Sequence, residues 1–327
     1  MNQIGNLVNE TIKEIQEVSC STTLKGIPSG FTKLDELTSG WQSSNLIVIA
    51  ARPGMGKTAF ITSMARNIAV DFDIPVGFFS IEMSSTQLIT RMISSETGIS
   101  SSKLRKGNLQ AHEWEQLNVK TKNISNAPIF INDNANLSID DLVDKAKEFI
   151  NNNDVEIIFI DYIQLLNINK PKRQNREEEL SIIIKKLKIL SREFNIPVIV
   201  TSQLSRAVET RGGIKRPWLS DIRDSGAIED DADMVCFLFR PEYYGQTEWD
   251  DDSHSPCEGQ GELIVAKHRN GRLENIRLKF IEHLAQFLDL EEGFDIDFQS
   301  KMNAIPDSAQ QINPDDAFGD DTNDVPF

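Results

Sequence analysis

A glycine-containing run that ends in lysine and threonine is the part of this chain whose residue types most directly imply chemistry. An apolar stretch precedes the run and a helical pattern follows it, so backbone N–H groups and a helix dipole would surround an anion there. Lys57 would reach the β- and γ-phosphates of a nucleotide, and the Thr58 hydroxyl would reach Mg²⁺. The sequence therefore predicts a phosphate-binding loop for ATP, with nucleotide contacts from Arg52 to Thr58. The run is Ala51-Arg52-Pro53-Gly54-Met55-Gly56-Lys57-Thr58.

Polar side chains end three of the apolar runs that surround or follow this loop. Glu82, Asp161 and Gln203 each come directly after a short buried-strand pattern. The carboxyl ends of parallel strands meet at one edge of a sheet, where ligands bind. There Glu82 would orient or deprotonate an attacking water, Asp161 would support Mg²⁺, and Gln203 would sense a γ-phosphate. Glu82 is equally placed to be the N-terminal carboxylate of the next helix, and the two roles are compatible.

A basic stretch follows Gln203, from Arg206 to Trp218. It contains glycines and the cations Arg206, Arg211, Lys215 and Arg216, in a chain whose formal net charge is −16. The pattern is typical of a mobile, solvated loop. Its position beside a γ-phosphate sensor favours contact with a nucleic-acid backbone.

The composition is that of an ordinary soluble globular protein, with 39% hydrophobic and 26% charged residues in 327. The acidic balance argues against a protein that coats nucleic acid nonspecifically, but it allows a local basic channel. Cys20, Cys236 and Cys257 lack metal-site spacing, and neither a signal peptide nor a membrane-length apolar run is present. We therefore expect a cytoplasmic protein without membrane contact.

Alternating apolar runs and helical patterns predict an α/β fold with a mostly parallel sheet, a RecA-like nucleotide-binding core. Later short runs without long helices between them predict an antiparallel extension of that sheet. The predicted helices are 59–70, 84–97, 111–122, 138–151 (capped by Ser138) and 176–194, and the predicted strands are 46–50, 76–81, 128–132, 155–161 and 197–202, extended by 234–240, 261–268, 276–280 and 286–290.

Six ordered motifs together resemble the helicase domain of DnaB-type replicative helicases, over about Gly26 to Leu290. They are Arg52-Pro53-Gly54-Met55-Gly56-Lys57-Thr58, Ser80-Ile81-Glu82-Met83, Asp161-Tyr162-Ile163-Gln164-Leu165, Thr201-Ser202-Gln203-Leu204, Asp221-Ile222-Arg223-Asp224-Ser225-Gly226-Ala227-Ile228-Glu229-Asp230-Asp231-Ala232-Asp233 and Ala266-Lys267-His268-Arg269-Asn270-Gly271.

The resemblance implies an ATP-driven hexameric ring that travels 5′ to 3′ on single-stranded DNA. Arg269 resembles the family's arginine finger, supplied to the ATP of the next subunit, with Lys267 as its companion. Arg223, Asp224 and Gly226 match the loop that contacts DNA phosphates in the pore. Primase and a helicase loader are the further partners that it suggests.

The chain departs from the family pattern at its N-terminus. Ile4 to Val18 has the apolar spacing of one amphipathic helix and matches the family's linker helix, whereas the helical domain that usually precedes it is missing. The helix would pack either on its own domain or, as the resemblance favours, on a neighbouring subunit. The chain would be either a shortened form or a form that naturally lacks this N-terminal helical domain. We expect a linker over 1–25, the ATPase domain over 26–298 and a tail over 299–327.

The tail is polar and predicted to be disordered. Its tip, Asp324-Val325-Pro326-Phe327, is similar to that of bacterial single-stranded DNA-binding proteins, which docks onto replication and repair partners. A solubilising acidic tail is the alternative.

Two other function classes stay open at this stage. One is a RecA- or RadA-like DNA-dependent ATPase of recombination or repair, against which the absence of a Cys-rich zinc module and the fit of 267–271 argue. The other is an assembly module that binds ATP without turnover, against which Lys57, Glu82, Asp161 and Arg269 argue together.

Overall fold

The computed structural model describes residues 24–290 apart from 169–174, 214 and 223–225, together with helical positions 4–6, 8–9, 12–13 and 16. These residues belong to one compact unit, Met1–Leu290. The predicted tail over 299–327, Cys20, and most of the charged loop that we expected at 171–175 lie outside the described residues.

Strands occur where the apolar runs predict them, to within one or two residues. They are β1 (Leu46–Ala51), β2 (Val76–Ser80), β3 (Ile129–Asn132), β4 (Ile157–Asp161), β5 (Val198–Gln203), β6 (Met234–Phe239), β7 (Gln260–His268), β8 (Asn275–Ile281) and β9 (Gln286–Asp289). Within the described part of the chain they form one sheet, in the order β3-β2-β4-β5-β1-β6-β7-β8-β9.

The strands from β3 to β6 in this order are parallel, and β7, β8 and β9 extend the sheet in antiparallel fashion. The prediction of a mostly parallel sheet is confirmed, but the predicted direction of β6 is wrong. β6 pairs parallel with β1, with Ile47 opposite Met234. The short helix Gly226–Asp231 precedes β6 and returns the chain to the edge where β1 begins. A crossover of this kind produces parallel pairing.

Helices cover both faces of the sheet. They are α1 (Thr32–Thr38), α2 (Lys57–Arg66), α3 (Ser85–Thr97), α4 (Ser101–Lys106), α5 (Ala111–Asn126), α6 (Ile139–Asn153), α7 (Arg176–Glu193), α8 (Ala207–Thr210) and α9 (Gly226–Asp231). The sequence did not predict α4, because its six residues bury nothing and so carry no apolar period.

The core has two layers because side chains alternate along the buried strands. In β1, Ile47 and Ile49 face the layer that contains Phe60 of α2. Leu46 and Val48 face the layer that contains Ile183 of α7. Parallel strands buried on both faces require the continuous apolar runs from which they were predicted.

Capping residues fix where the helices begin. The Ser138 hydroxyl accepts a hydrogen bond from the Asp141 N–H at 3.1 Å, which confirms the predicted cap of α6. At the start of α3, Ser84 and Gln87 bond reciprocally as a capping box. That cap ends the turn after β2 and so sets the position of Glu82.

We call the edge of the sheet where β1, β2, β4 and β5 end the carboxyl edge, and the opposite edge the amino edge. The predicted phosphate loop, Glu82, Asp161 and Gln203 all lie at the carboxyl edge. Among the described residues, no helix is long and apolar enough to cross a membrane.

Candidate nucleotide-binding site

The loop between β1 and α2 has the backbone of an anion cradle. The Met55 N–H donates to the Arg52 carbonyl at 3.3 Å, which turns the chain back toward the sheet. Gly54 and Gly56 have φ angles of 83° and 93°, a region that favours glycine. A Cβ on Gly54 would also lie 2.6 Å from a ring carbon of Tyr243. Gly56 caps α2, so the free N–H groups of the first helical turn face the loop.

Asp161 is a buried carboxylate held by two hydroxyl groups. Thr58 donates to its Oδ2 at 2.5 Å, and Thr201 of β5 donates to its Oδ1. β5 pairs with both β4 and β1, which brings Thr201 and the start of α2 close to Asp161. The Thr58 hydroxyl and the Asp161 carboxylate therefore form an adjacent pair of oxygen donors.

Lys57 lies buried at the start of α2, with its Nζ 4.7 Å from the ring centroid of Tyr162. Burial lowers the pKa of Lys57, and the carboxylates of Asp161 and Glu82 act in the opposite direction. Burial and the same two carboxylates raise the pKa of the Tyr162 hydroxyl. The Lys57 ammonium is thus a cation that has lost solvent and that a bound phosphate would compensate.

Arg91 is a further candidate for the site, which the sequence reasoning missed. Burial lowers its pKa, while the charges of Asp161 and Glu82 oppose that effect, so its guanidinium lies in their field. It comes from α3, not from a strand end. The available signal was that Arg91 is the only basic residue in the helix that directly follows Glu82.

Gln203 is held by a neighbouring amide that the sequence motif contains but that had no assigned role. The Gln203 N–H donates to Gln164 Oε1 at 3.2 Å, and Gln164 Nε2 donates to the Ser202 hydroxyl at 2.8 Å. Gln203 lines a cavity of about 530 Å³ together with Arg52 and Tyr162. The predicted γ-phosphate sensor therefore faces open space beside the phosphate loop.

Arg52 has internal partners. Its guanidinium donates to the Leu204 carbonyl at 2.8 Å and to Glu209 of α8 at 2.9 Å. It ties the phosphate loop to the segment that follows the sensor strand, while Pro53 is exposed next to it. Contact of Arg52 with a nucleotide stays a prediction.

The fold places Arg269 and Lys267 away from the phosphate loop and the other groups at the carboxyl edge. β7 runs antiparallel to β6, which places His268 opposite Met234 and level with Ile47 at the amino edge. The phosphate loop follows the other end of β1, about 17 Å away along the strand at roughly 3.3 Å per residue. Neither side chain can therefore reach the phosphate loop of its own chain.

At the amino edge, both cations are fastened to the end of α9. Arg269 pairs with Asp233 at 3.1 Å and also donates to the Asp230 carbonyl. Lys267 donates to the Glu229 carbonyl. Burial and the neighbouring Arg269 lower the pKa of Lys267.

The predicted basic loop is more structured than its sequence suggests. It contains α8, and Arg211 and Arg216 have carboxylate partners further along the chain. Arg211 pairs with Asp221, and Arg216 pairs with Glu262 at 2.5 Å and Asp250 at 3.1 Å. These partners come from the chain beyond the loop, so the loop's sequence could not reveal them.

Of the predicted DNA contacts, Arg223 and Asp224 lie outside the described residues. Gly226 is exposed and begins α9, whose other end holds Arg269 and Lys267. The contacts of the three residues with DNA stay predictions.

The comparison with protein families decides the identity of this arrangement. Residues 26–289 match the family model described as "DnaB-like helicase C terminal domain". The chain belongs to the DnaB-like helicase family. The resemblance predicted from the motifs is thereby confirmed, over almost the residues expected.

Curated relatives of this DnaB-like chain carry replicative-helicase names. It is 45% identical over 285 residues to a "Probable replicative DNA helicase" of Trieres chinensis, covering 87% of the chain and 62% of the relative. It is 43% identical over 272 residues to "Replicative DNA helicase DnaB" of Geobacillus stearothermophilus, covering 83% and 58%. The chain thus spans about three fifths of the length of these relatives.

Solved structures show the same DnaB-like fold. "ATPase Domain of G40P" is 37% identical with a TM-score of 0.81, covering 89% of this chain and 100% of that one. "The Structure Of A DnaB-Like Replicative Helicase And Its Interactions With Primase" is 37% identical with a TM-score of 0.78, covering 89% of this chain and 68% of that one. The predicted RecA-like core is confirmed.

The residues of this DnaB-like site fit ATP and Mg²⁺. Mg²⁺ takes oxygen ligands, commonly one or two carboxylates together with phosphates and water. The Thr58 and Asp161 oxygens supply that chemistry beside a glycine-lined loop and a desolvated lysine. The arrangement has the groups that a polyphosphate and Mg²⁺ need, with Glu82 exposed at the same edge of the sheet.

Proposed function

We propose that this chain is the ATP-driven motor of a replicative DNA helicase, which travels 5′ to 3′ on single-stranded DNA as a hexameric ring and unwinds duplex DNA. The observation that carries the proposal is the separation of the site residues into two groups. Lys57, Thr58, Asp161 and Glu82 lie at the carboxyl edge, and Arg269 lies at the amino edge. Such a chain needs a neighbour to complete its site.

The groups at the carboxyl edge have distinct roles in this proposal. Lys57 and the N–H groups of the phosphate loop bind phosphate charge, and Thr58 and Asp161 hold Mg²⁺. Mg²⁺ held by these two oxygen donors would supply positive charge against the phosphates. Glu82 accepts the proton of the attacking water, which its exposed position admits to the site. Gln203 contacts the γ-phosphate.

Arg269 supplies the cation that stabilises the transition state in the adjacent subunit, with Lys267 beside it. An arginine supplied in this way is worth roughly 10³- to 10⁵-fold in rate. We therefore expect a single subunit to hydrolyse ATP poorly and an assembled ring to hydrolyse it well.

The exposed apolar residues of the N-terminal helical segment favour the proposal that the chain assembles. Ile4, Val8 and Ile12 are four residues apart on one helix face, and they are 79%, 49% and 47% exposed. Apolar side chains grouped on an exposed face mark an interaction site. We propose that this row docks onto the neighbouring subunit of the ring.

DNA contact is proposed for Arg223, Asp224 and Gly226. Contact with phosphate alone gives sequence-independent binding, which a motor on arbitrary DNA requires. The domain division, with a linker over 1–25, the ATPase over 26–298 and a tail over 299–327, belongs to the same proposal.

Partners and compartment complete the proposal. The name of one solved relative mentions primase, and we propose primase and a helicase loader as partners of this chain. The tip Asp324 to Phe327 would dock onto a replication or repair protein, through its terminal Phe in an apolar pocket and its acids against basic residues. The free thiols of Cys236 and Cys257 accord with work in a reducing cytoplasm.

The test is unwinding of a forked duplex with a 5′ single-stranded tail by the purified chain. We expect ATP-dependent unwinding, lost in Arg269→Ala and kept in Arg272→Ala, an exposed arginine of the same hairpin. DNA-stimulated hydrolysis without unwinding, on forks of either polarity, would contradict a helicase motor and favour a repair-type ATPase.

A further inference from the structure

Trp218 is exposed at a position that the rest of the fold holds firmly. It is 60% exposed, yet its backbone N–H donates to Asp221 Oδ2 at 2.8 Å. Asp221 in turn accepts a hydrogen bond through its carbonyl from the Ser205 N–H at 2.8 Å, just beyond the end of β5. Trp218 is therefore anchored at the carboxyl edge, beside the segment that follows Gln203.

One face of the indole is covered by a cation. The guanidinium carbon of Arg211 lies over the Trp218 ring, 3.9 Å from its centroid, as in a cation–π contact. Arg211 is itself held by the Asp221 carboxylate and by the Arg216 carbonyl, at 3.1 Å from the latter. Arg211 thus holds the indole in place from one side, and the exposed part of the indole is oriented before any ligand binds.

We propose that Trp218 is a stacking platform for a base of single-stranded DNA. Its exposure leaves part of the ring open to a ligand. Arg211 and Arg216 are paired with carboxylates, so the positive charge left for a nucleic-acid backbone is that of the other two cations of the stretch. Arg206 is exposed nearby, on the cavity that Gln203 lines, and Lys215 follows in the same stretch. Stacking tolerates every sequence because each base has a π face, so it suits a motor on arbitrary DNA. This inference rests on the proposed function.

The test compares oligodeoxythymidylate with an abasic oligonucleotide of equal length, in the presence of Mg²⁺ and a nonhydrolysable ATP analogue. The two ligands share a backbone and differ only in their bases. We expect the chain to bind the thymidylate on the order of 10-fold more tightly. Trp218→Leu, which keeps apolar bulk, should bind both equally, and Trp218→Phe should keep part of the preference.

Two readouts separate stacking from a structural role. ATP hydrolysis without DNA and the molecular mass of the assembly should be unchanged in both Trp218 variants. Tryptophan fluorescence should be quenched by thymidylate in the unmodified chain and less so in Trp218→Phe. The matched control is Phe72→Leu, which removes an aromatic ring that is 46% exposed near the amino edge and should leave the preference intact.

Each failure has its own meaning. Equal binding of both oligonucleotides, or a Trp218→Leu variant that keeps the preference, would overturn the stacking platform alone. A fall in assembly mass in Trp218→Leu would overturn it in favour of a contact between subunits. Binding of neither oligonucleotide would overturn the proposed function and this inference with it.

Discussion

Arg269→Ala is expected to abolish ATP hydrolysis without weakening ATP binding to the same chain. Arg269 is level with the start of β1, and the phosphate loop follows its far end. The two cannot meet within one subunit. The loss in turnover should be roughly 10³-fold or more, the usual contribution of such an arginine.

Mixing two inactive variants tests directly whether each active site is shared between two subunits. Lys57→Met removes the phosphate lysine and keeps Arg269, whereas Arg269→Ala does the reverse. In a head-to-tail ring assembled at random from equal amounts, about a quarter of the junctions join an intact loop to an intact arginine. The mixture should therefore regain about a quarter of the normal rate, while each variant alone stays inactive.

The fold should tolerate the Arg269 substitution. Asp233, the carboxylate that pairs with Arg269, also accepts hydrogen bonds from Lys188 at 2.5 Å and from the Leu46 N–H at 2.8 Å. Loss of a partly exposed ion pair costs about 0–1 kcal/mol. Arg272→Ala, the control, removes an exposed arginine that pairs only with nearby Glu274 among the described residues.

The assay is steady-state hydrolysis with saturating single-stranded DNA, and subunit exchange is followed by energy transfer between labelled chains. If labelled subunits exchange and the mixture stays inactive, the proposal that the site is shared between subunits is refuted. Normal turnover by Arg269→Ala alone would refute the role of the arginine itself.

Two further predictions concern the phosphate loop. Gly54→Ala should weaken ATP binding at least about tenfold and lower the free energy of unfolding by about 1–3 kcal/mol, because Gly54 has a left-handed backbone and a Cβ there would lie 2.6 Å from the Tyr243 ring. The control is Gly98→Ala, at a position with a similar φ of 74° and open space around it, which should leave ATP affinity unchanged. Calorimetric titration measures both affinities. Lys57→Met should raise the unfolding temperature without nucleotide and lose the stabilisation by Mg²⁺ and an ATP analogue. The reason is that burial holds the pKa of Lys57 below its usual 10.5, so at neutral pH the charged amine opposes folding, and this cost fades as pH rises through the folded pKa. A lower unfolding temperature for Lys57→Met without nucleotide would contradict this account.

The sequence located the carboxyl-edge groups because each follows an apolar run whose end is the end of a strand. Lys57, Asp161 and Gln203 could be placed in this way, since parallel strands deliver their ends to one edge. The direction of β6 could not, because an apolar run has no direction and the deciding helix has only six residues.

Residues whose partners are distant in sequence escaped the sequence reasoning. Arg91 lies on a helix, within the electrostatic influence of Glu82 and Asp161, and Arg216 pairs with Asp250 and Glu262, which lie far along the chain. The cations of the 206–218 loop therefore predicted more unpaired positive charge than the folded chain has there. Such partners depend on tertiary packing, which no local pattern encodes.

The placement of Arg269 at the amino edge has a consequence for ring opening. In the proposed ring, each chain would supply the phosphate loop of one site and the arginine of the next. Each complete site then lies at a junction between two subunits. A closed ring has as many complete sites as subunits, an open arc has one fewer, and a lone chain has none. A ring that opens at a single junction to admit DNA would silence that site alone and keep every other one complete.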